Sequence, residues 1–276
     1  MVHAFIRFAL LLSSLFLSSL SFAGGYITQP LVHAHSYDKS YSSTYGNGPY
    51  QNFTNFNALD ISGQINVILK NARFNTIEFL DNSQQYVNFS LKGNTLNVGR
   101  APIPRDQRNK VIPTPTIIIG VARLNKLTTH DYVIVQGNLN SSALNINSEG
   151  YSQISLKGMM NVQKVNTEDN AQVKLYWINS SNLVLNGSDR SSIQLAGVAG
   201  VLHASLSDSA QLHGQYLRAQ QAVIQTDNSA FAGIEATQAL RAFASDDSNI
   251  LYYKYPRAYN DFSTQSGNIL QIDWRP

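Results

Sequence analysis

The sequence predicts an all-β chain: a right-handed parallel β-helix-like solenoid of about 19-residue coils, preceded by a smaller N-terminal β unit. The first observation is a repeat. Counting from Asp131, the register positions are Asp131, Gly150, Asp169, Asp189, Asp208, Asp227, Asp246 and Gln265, each step 19 residues except one of 20. Four residues after each stands an apolar side chain: Val135, Ile154, Val173, Ile193, Leu212, Phe231, Ile250 and Ile269. Two residues after it the side chain is small (Ser152, Ala171, Ser191, Ala210, Ser229, Ser248, Gly267), with Val133 the exception. Four residues before it stand Leu127, Ile146, Val165, Leu185, Ala204, Val223 and Ala242, and the pattern fails at Asp261. A fixed period near 20 marks a solenoid whose repeats stack as coils.

The second observation is local alternation, as in Ile154-Ser155-Leu156, Val173-Lys174-Leu175 and Ile193-Gln194-Leu195. Period 2 turns one face of a short strand inward and the other outward. The third is an absence: the Leu-x-x-Leu-x-Leu-x-x-Asn pattern of leucine-rich repeats does not occur. The small residue before each strand suits a tight corner. Right-handed winding is expected of parallel crossovers.

In chain order, residues 1–23 read as a signal peptide. Arg7 supplies the charge, Phe8 to Leu20 the apolar run, and Ser21-Phe22-Ala23 the small-x-small cleavage site. The run is too short to span a bilayer, so the expectation is export with cleavage, to periplasm, cell surface or medium, and no membrane span afterwards. Residues 24–52, rich in Gly, Ser, Tyr and Asn, read as a flexible leader. His33 and His35 lie there without a third ligand nearby. Residues 53–99 form the N-terminal β unit, with short apolar runs split by Gly and Asn turns such as Lys92-Gly93-Asn94. Residues 100–115 hold four prolines with Arg100, Arg105, Arg108 and Lys110, and read as an exposed connection. The repeats then fill 116–276 and end in an aromatic cap.

Absence of cysteine excludes disulfides, thiolate metal sites and a cysteine nucleophile. It also leans towards a bacterial envelope protein. The formal charge of +3 is not gathered into a basic face, which argues against nucleic acid.

The N-terminal unit resembles the GIN domain, the head domain of auto-transporter adhesins. The resemblance rests on Phe56-x-x-Leu59-x-Ile61-x-Gly63, Ile65-Asn66-Val67, the strand around Ile77 and Phe79, and Gly93-Asn94-Thr95-Leu96-Asn97-Val98. It runs on through Ile117-Ile118-Ile119 and Leu124-x-x-Leu127 into the repeats, covering roughly 53 to 276. It implies an all-β, β-helix-like fold without a defined enzymatic activity, and an adhesin-like role. One departure stands out. Where family turns carry Ser-Gly-Ser or Ser-Gly-Ala, this chain carries Asp-x-Ser or Asp-x-Ala.

The aspartates Asp169, Asp189, Asp208, Asp227 and Asp246 fall on consecutive coils. Carboxylates stacked ~4.8 Å apart repel by roughly 1 kcal/mol in water. One offset is a turn in which each Asp accepts a backbone N–H two residues on. The other is bound calcium, which takes six to eight oxygens. The calcium-solenoid signature Gly-Gly-x-Gly-x-Asp is missing, so the expectation is turn capping, with no cofactor. An enzyme needs a clustered acid and base. Asp189, Arg190, Lys174 and His213 are the residues to weigh, but Gln194 separates Lys174 from His213 on their ladder, and stacked turns bring like residues together. No catalytic residue is assigned. Among the C-terminal aromatics, Tyr252 falls on the inward register, and Tyr253, Tyr255, Tyr259 and Trp274 are the candidates for surface contact. The expectation is an exported, non-enzymatic binding module that contacts glycans or proteins. The alternative is a polysaccharide lyase or glycosidase on the same scaffold.

Overall fold

The computed structural model describes residues 50–52, 56–80, 83–103 and 112–273. The expected signal peptide, the leader up to residue 49, most of the Pro/Arg connection and Trp274 lie outside the described residues.

The chain is a β-solenoid of parallel strands. Its middle is built from five long strands: β11 (Gln153–Thr167), β12 (Gln172–Gly187), β13 (Ser192–Leu206), β14 (Gln211–Thr226) and β15 (Phe231–Ala244). Each pairs in parallel with the next. Burial alternates along β11, so that Ile154, Leu156, Met160, Val162 and Val165 point inward. The alternation breaks at two places, where the register to β12 also shifts. Those breaks and the connecting turn give each coil three walls. The inward side chains form one continuous apolar core from Phe56 to Tyr252. Each fully buried Leu or Ile there contributes roughly 1.5–3 kcal/mol.

The residues at 53–99 belong to this same core. β2 (Ala58–Ser62) and β3 (Asn66–Asn71) form a coil that pairs with β8 (Lys126–Thr129) and β9 (Ile134–Asn138). On its other side β2 pairs with β6 (Thr95–Arg100), and β3 with β7 (Thr116–Val121). The chain thus lays β6 and β7 outside its own first coil before returning to continue the stack. Two antiparallel strands close this end: β4 (Thr76–Phe79) on β7, and β5 (Val87–Lys92) on β6. The leader was expected to lack regular structure up to residue 52, but Tyr50–Asn52 forms β1, antiparallel to β4. The edge of β4 away from β7 has free backbone donors and acceptors, which an extended segment satisfies.

β10 (Ser141–Ser148) joins the N-terminal coils to the long strands. β16 (Asn249–Tyr253), β17 (Ala258–Ser263) and β18 (Asn268–Ile272) complete the stack.

Each coil turns at a residue with positive φ: Asp131, Gly150, Asp169, Asp189, Asp208, Asn228, Asp246 and Gln265. In most of these turns the residue two positions later closes a four-residue bond, as in Ala171 N–H to Glu168 O at 3.2 Å and Ser191 N–H to Ser188 O at 3.2 Å. A positive φ at the second residue of such a turn favours Gly, Asn and Asp. That accounts for the departure from the family's Ser-Gly-Ser turns: Asp takes the place of Gly, and Gly150 keeps it. One coil corrects the sequence register. Asn228, not Asp227, holds the left-handed position. The inward residues there are Ile224, Ala230 and Ala232, and Phe231 faces outward. Asp227 opens the turn and accepts the Asn228 N–H at 2.9 Å.

Candidate functional site

The outward side chains of the wall that precedes the turns form one unbroken column. In register it runs Asn97, Asp60, Thr128, Asn147, Asn166, Asn186, Ser205, Gln225, Phe243, Phe262. At ~4.8 Å per strand it extends about 40 Å. Beside it the first residues of the turns make a raised lip: His130, Glu149, Glu168, Ser188, Ser207, Asp227 and Ser245. Between column and lip lies a shallow trench, seen as four depressions in a row of about 410, 320, 390 and 420 Å³.

Within the trench, polar groups mostly engage one another. Asn166 Nδ2 donates to Asn147 Oδ1 and Asn186 Nδ2 to Asn166 Oδ1, both at 2.8 Å. His130 bridges two coils, with Nε2 3.1 Å from Asp60 Oδ1 and Nδ1 hydrogen-bonded to Glu149 Oε1. Burial acts most strongly on His130 and opposes its charge. The hydrogen bond and charge of Glu149, and then those of Asp60, outweigh it and hold the imidazole above its ordinary value. At the far end Phe243 and Phe262 stack, centroids 5.6 Å apart and planes 6° from parallel.

The aspartates of the turns do not cap their own turns as the sequence suggested; they reach back to the preceding coil. Asp169 Oδ2 accepts the Gly150 N–H at 3.0 Å, Asp189 Oδ2 the Asp169 N–H at 3.3 Å, and Asp131 Oδ2 the Gly63 N–H at 3.0 Å. Asp208 Oδ2 takes the Ser207 hydroxyl at 3.0 Å and stands 3.5 Å from the Asp189 nitrogen. A left-handed residue directs its side chain along the stack, so the nearest orphan donor belongs to the neighbouring coil. Asp227 and Asp246 differ: they hydrogen-bond each other, which pushes the Asp246 carboxyl up and the Asp227 carboxyl down. Among the described residues, no group of three or more His, Asp or Glu side chains stands close enough to hold a metal ion.

The enzyme candidates stay apart. Lys174, Gln194 and His213 follow one another on their ladder as the sequence indicated. No hydrogen bond or ion pair among the described residues joins Asp189, Arg190, Lys174 or His213 to one another. Burial lowers the His213 imidazole below its ordinary value. Of the C-terminal aromatics, Tyr252 is buried, and Tyr259 packs on it at 5.0 Å and hydrogen-bonds Asp261. Tyr253 lies on an outward wall and Tyr255 is 75% exposed. None of these tyrosines lines the depressions of the trench.

Sequence reasoning missed the trench. Its signal was present three residues before each turn position, where Asn147, Asn166 and Asn186 recur. It also missed Trp177, a bulky residue with φ of 64° and 67% exposed.

The sequence profile of a family described as "Putative auto-transporter adhesin, head GIN domain" matches residues 55–256. The chain belongs to the GIN-domain family. Solved structures share the architecture. A putative adhesin from Parabacteroides merdae is 19% identical, with 83% of this chain and 98% of that chain covered, at a TM-score of 0.68. A putative lipid binding protein from Parabacteroides distasonis is 17% identical, with 83% and 98% covered, at 0.67. A putative adhesin from Bacteroides fragilis is 17% identical, with 81% and 95% covered, at 0.58. At these identities the likeness speaks for the fold. No curated protein matches the chain. Among the described residues of this GIN-domain chain, no helix is long and apolar enough to cross a membrane.

Proposed function

We propose that this chain is an exported, non-enzymatic adhesion module that contacts glycans or proteins through its surface, and that the trench receives an extended polar polymer along the solenoid axis. The observation that carries the reading is the unbroken column from Asn97 to Gln225, which repeats polar side chains at a fixed interval before it ends on the Phe243–Phe262 stack. Each contact is weak, and a ligand that spans several coils gains from their number, since linked contacts act at high effective concentration. The family description and the names of the structural neighbours support an adhesin-like role.

The rival is a polysaccharide-acting enzyme, and its best footing is His130 with Asp60 and Glu149. Both ring nitrogens are occupied by carboxylates, so the imidazole clamps two coils and has no free nitrogen for a substrate proton. The test is an array of immobilised polysaccharides and extracellular-matrix proteins probed with residues 24–276, with reducing-end release followed in parallel. The expected result is retention of long polymers without product, weakened at least fivefold in the double variant Asn166→Leu, Glu168→Leu. Release of saccharide, abolished by His130→Ala, would establish the enzyme instead.

A further inference from the structure

A second surface, on the other side of the turns from the trench, has the chemistry of a ligand site. Tyr132 and Tyr151 each follow a left-handed turn residue, Asp131 and Gly150, on successive coils. Their rings stack with centroids 5.1 Å apart and planes 2° from parallel. They are 59% and 54% exposed. The same position carries Asn170 on the next coil and Arg190 on the one after, so the ring of Tyr151 is followed by a much smaller side chain. The stack ends there with a face uncovered.

Below the rings lies a depression of about 510 Å³, whose lining includes Gln64, Asn66, Ile134, Gln153, Asn170 and Gln172. Among the described residues no acid or base lines it, and the nearby Arg100 guanidinium is engaged by Gln64 O and Oε1 and by Pro113 O. The side-chain amides of Gln153, Asn170 and Gln172 make no hydrogen bond within the protein among the described residues, while their backbone N–H groups bond to the neighbouring coil. In the trench, by contrast, amides bond to amides and carboxylates to histidine or hydroxyls. Each free amide offers two donors and an acceptor, and Gln153 and Gln172 repeat at the coil interval because they pair in register.

We infer that the Tyr132–Tyr151 shelf binds a short, neutral saccharide, one pyranose ring lying against the exposed tyrosine face and its hydroxyls meeting Gln153, Asn170 and Gln172. A pyranose has an apolar C–H face and a polar rim, and the shelf has an aromatic surface with a polar border. An anionic sugar, a phosphate headgroup or a nucleic acid finds no cation among the described lining residues. An alkyl chain would leave the three amides without partners, at a desolvation cost. The inference rests on the glycan side of the adhesion reading and extends it to a site outside the trench.

The experiment is isothermal titration of residues 24–276 with cellotriose, maltotriose, chitotriose and trigalacturonate. The expected result is binding of at least one neutral trisaccharide and not of trigalacturonate. Tyr151→Ala should weaken that binding at least tenfold, Tyr151→Phe less than threefold, and Asn166→Leu not at all. Equal melting temperatures for the tyrosine variants and the wild type would show that loss of binding is not loss of fold. Binding that survives Tyr151→Ala and Tyr132→Ala but falls with Asn166→Leu would overturn the shelf and leave the trench reading standing. Binding of trigalacturonate alone would overturn the neutral-ligand assignment. No binding of any trisaccharide would overturn the shelf, while the polymer array decides the trench separately.

Discussion

Gly197 tests the coil-stacking geometry most directly. It lies in β13 where the long strand turns its first corner, with φ of 140°, in register with Ile178 on one side and Leu217 on the other. A Cβ placed there would stand 2.2 Å from the Ile178 carbonyl oxygen and 2.7 Å from its nitrogen. The shortfall is backbone against backbone, so no rotamer change relieves it. Hydrogen-bonded coils on both sides hold the spacing near ~4.8 Å. Gly197→Ala therefore carries a backbone cost of about 1–3 kcal/mol for the disfavoured φ and a further 1–3 or so for overpacking. Taken near the middle, about 4 kcal/mol lowers the melting temperature by roughly 8–16 °C in a chain of this size. Gly93 is the control. Its φ is also positive, 56°, but a Cβ there meets nothing within 4 Å. Gly93→Ala carries only the left-handed penalty of about 1–2 kcal/mol, or roughly 2–8 °C. Differential scanning calorimetry of both purified variants separates the two terms. A Gly197→Ala protein that melts within ~3 °C of wild type would refute the close-approach argument, as would a Gly93→Ala protein that falls just as far.

Three further outcomes follow from the turns and the lip. Because the folded protein raises His130 above its ordinary value of 6.5, its bridge to Asp60 and Glu149 contributes fully below that pH and is lost as pH rises through the folded value. The melting-temperature gap between wild type and His130→Leu should thus narrow between pH 6 and pH 8. The half-exposed setting limits the gap to about 1 kcal/mol, and a gap that widens with pH would reverse the assignment. Millimolar calcium should leave the melting temperature within about 1 °C, because Asp131, Asp169 and Asp189 already direct Oδ2 at backbone N–H groups. A rise of several degrees would make the ladder a metal site. Trp177→Gly should keep or raise stability, since relief of a left-handed penalty of about 1–2 kcal/mol exceeds the backbone-entropy cost of glycine, about 0.5–1 kcal/mol. A fall of more than ~3 °C would show that the indole packs.

The stacked-coil architecture was legible in the order of the residues. Apolar residues at a 19-residue interval can all face one core only if the coils stack in register, and alternation within each coil says which neighbours face out. Val135, Ile154, Val173, Ile193, Leu212 and Ile250 were legible as core for that reason, and all are buried. The same arithmetic failed at Asp227. The step from Asp208 to the next left-handed residue absorbs one extra residue, and the following coil has one fewer. A period read from aspartates alone cannot see a bulge that moves the turn to Asn228. Only the tertiary structure placed β6 and β7 outside β2 and β3, because chain order does not encode which end of a stack a later strand joins. It alone brought His130 to Asp60, 70 positions earlier in the chain. It also decided which amides bond to one another and which are left open beside Tyr132 and Tyr151. Hydrogen-bond satisfaction depends on distances across coils, and the sequence records only the order along them.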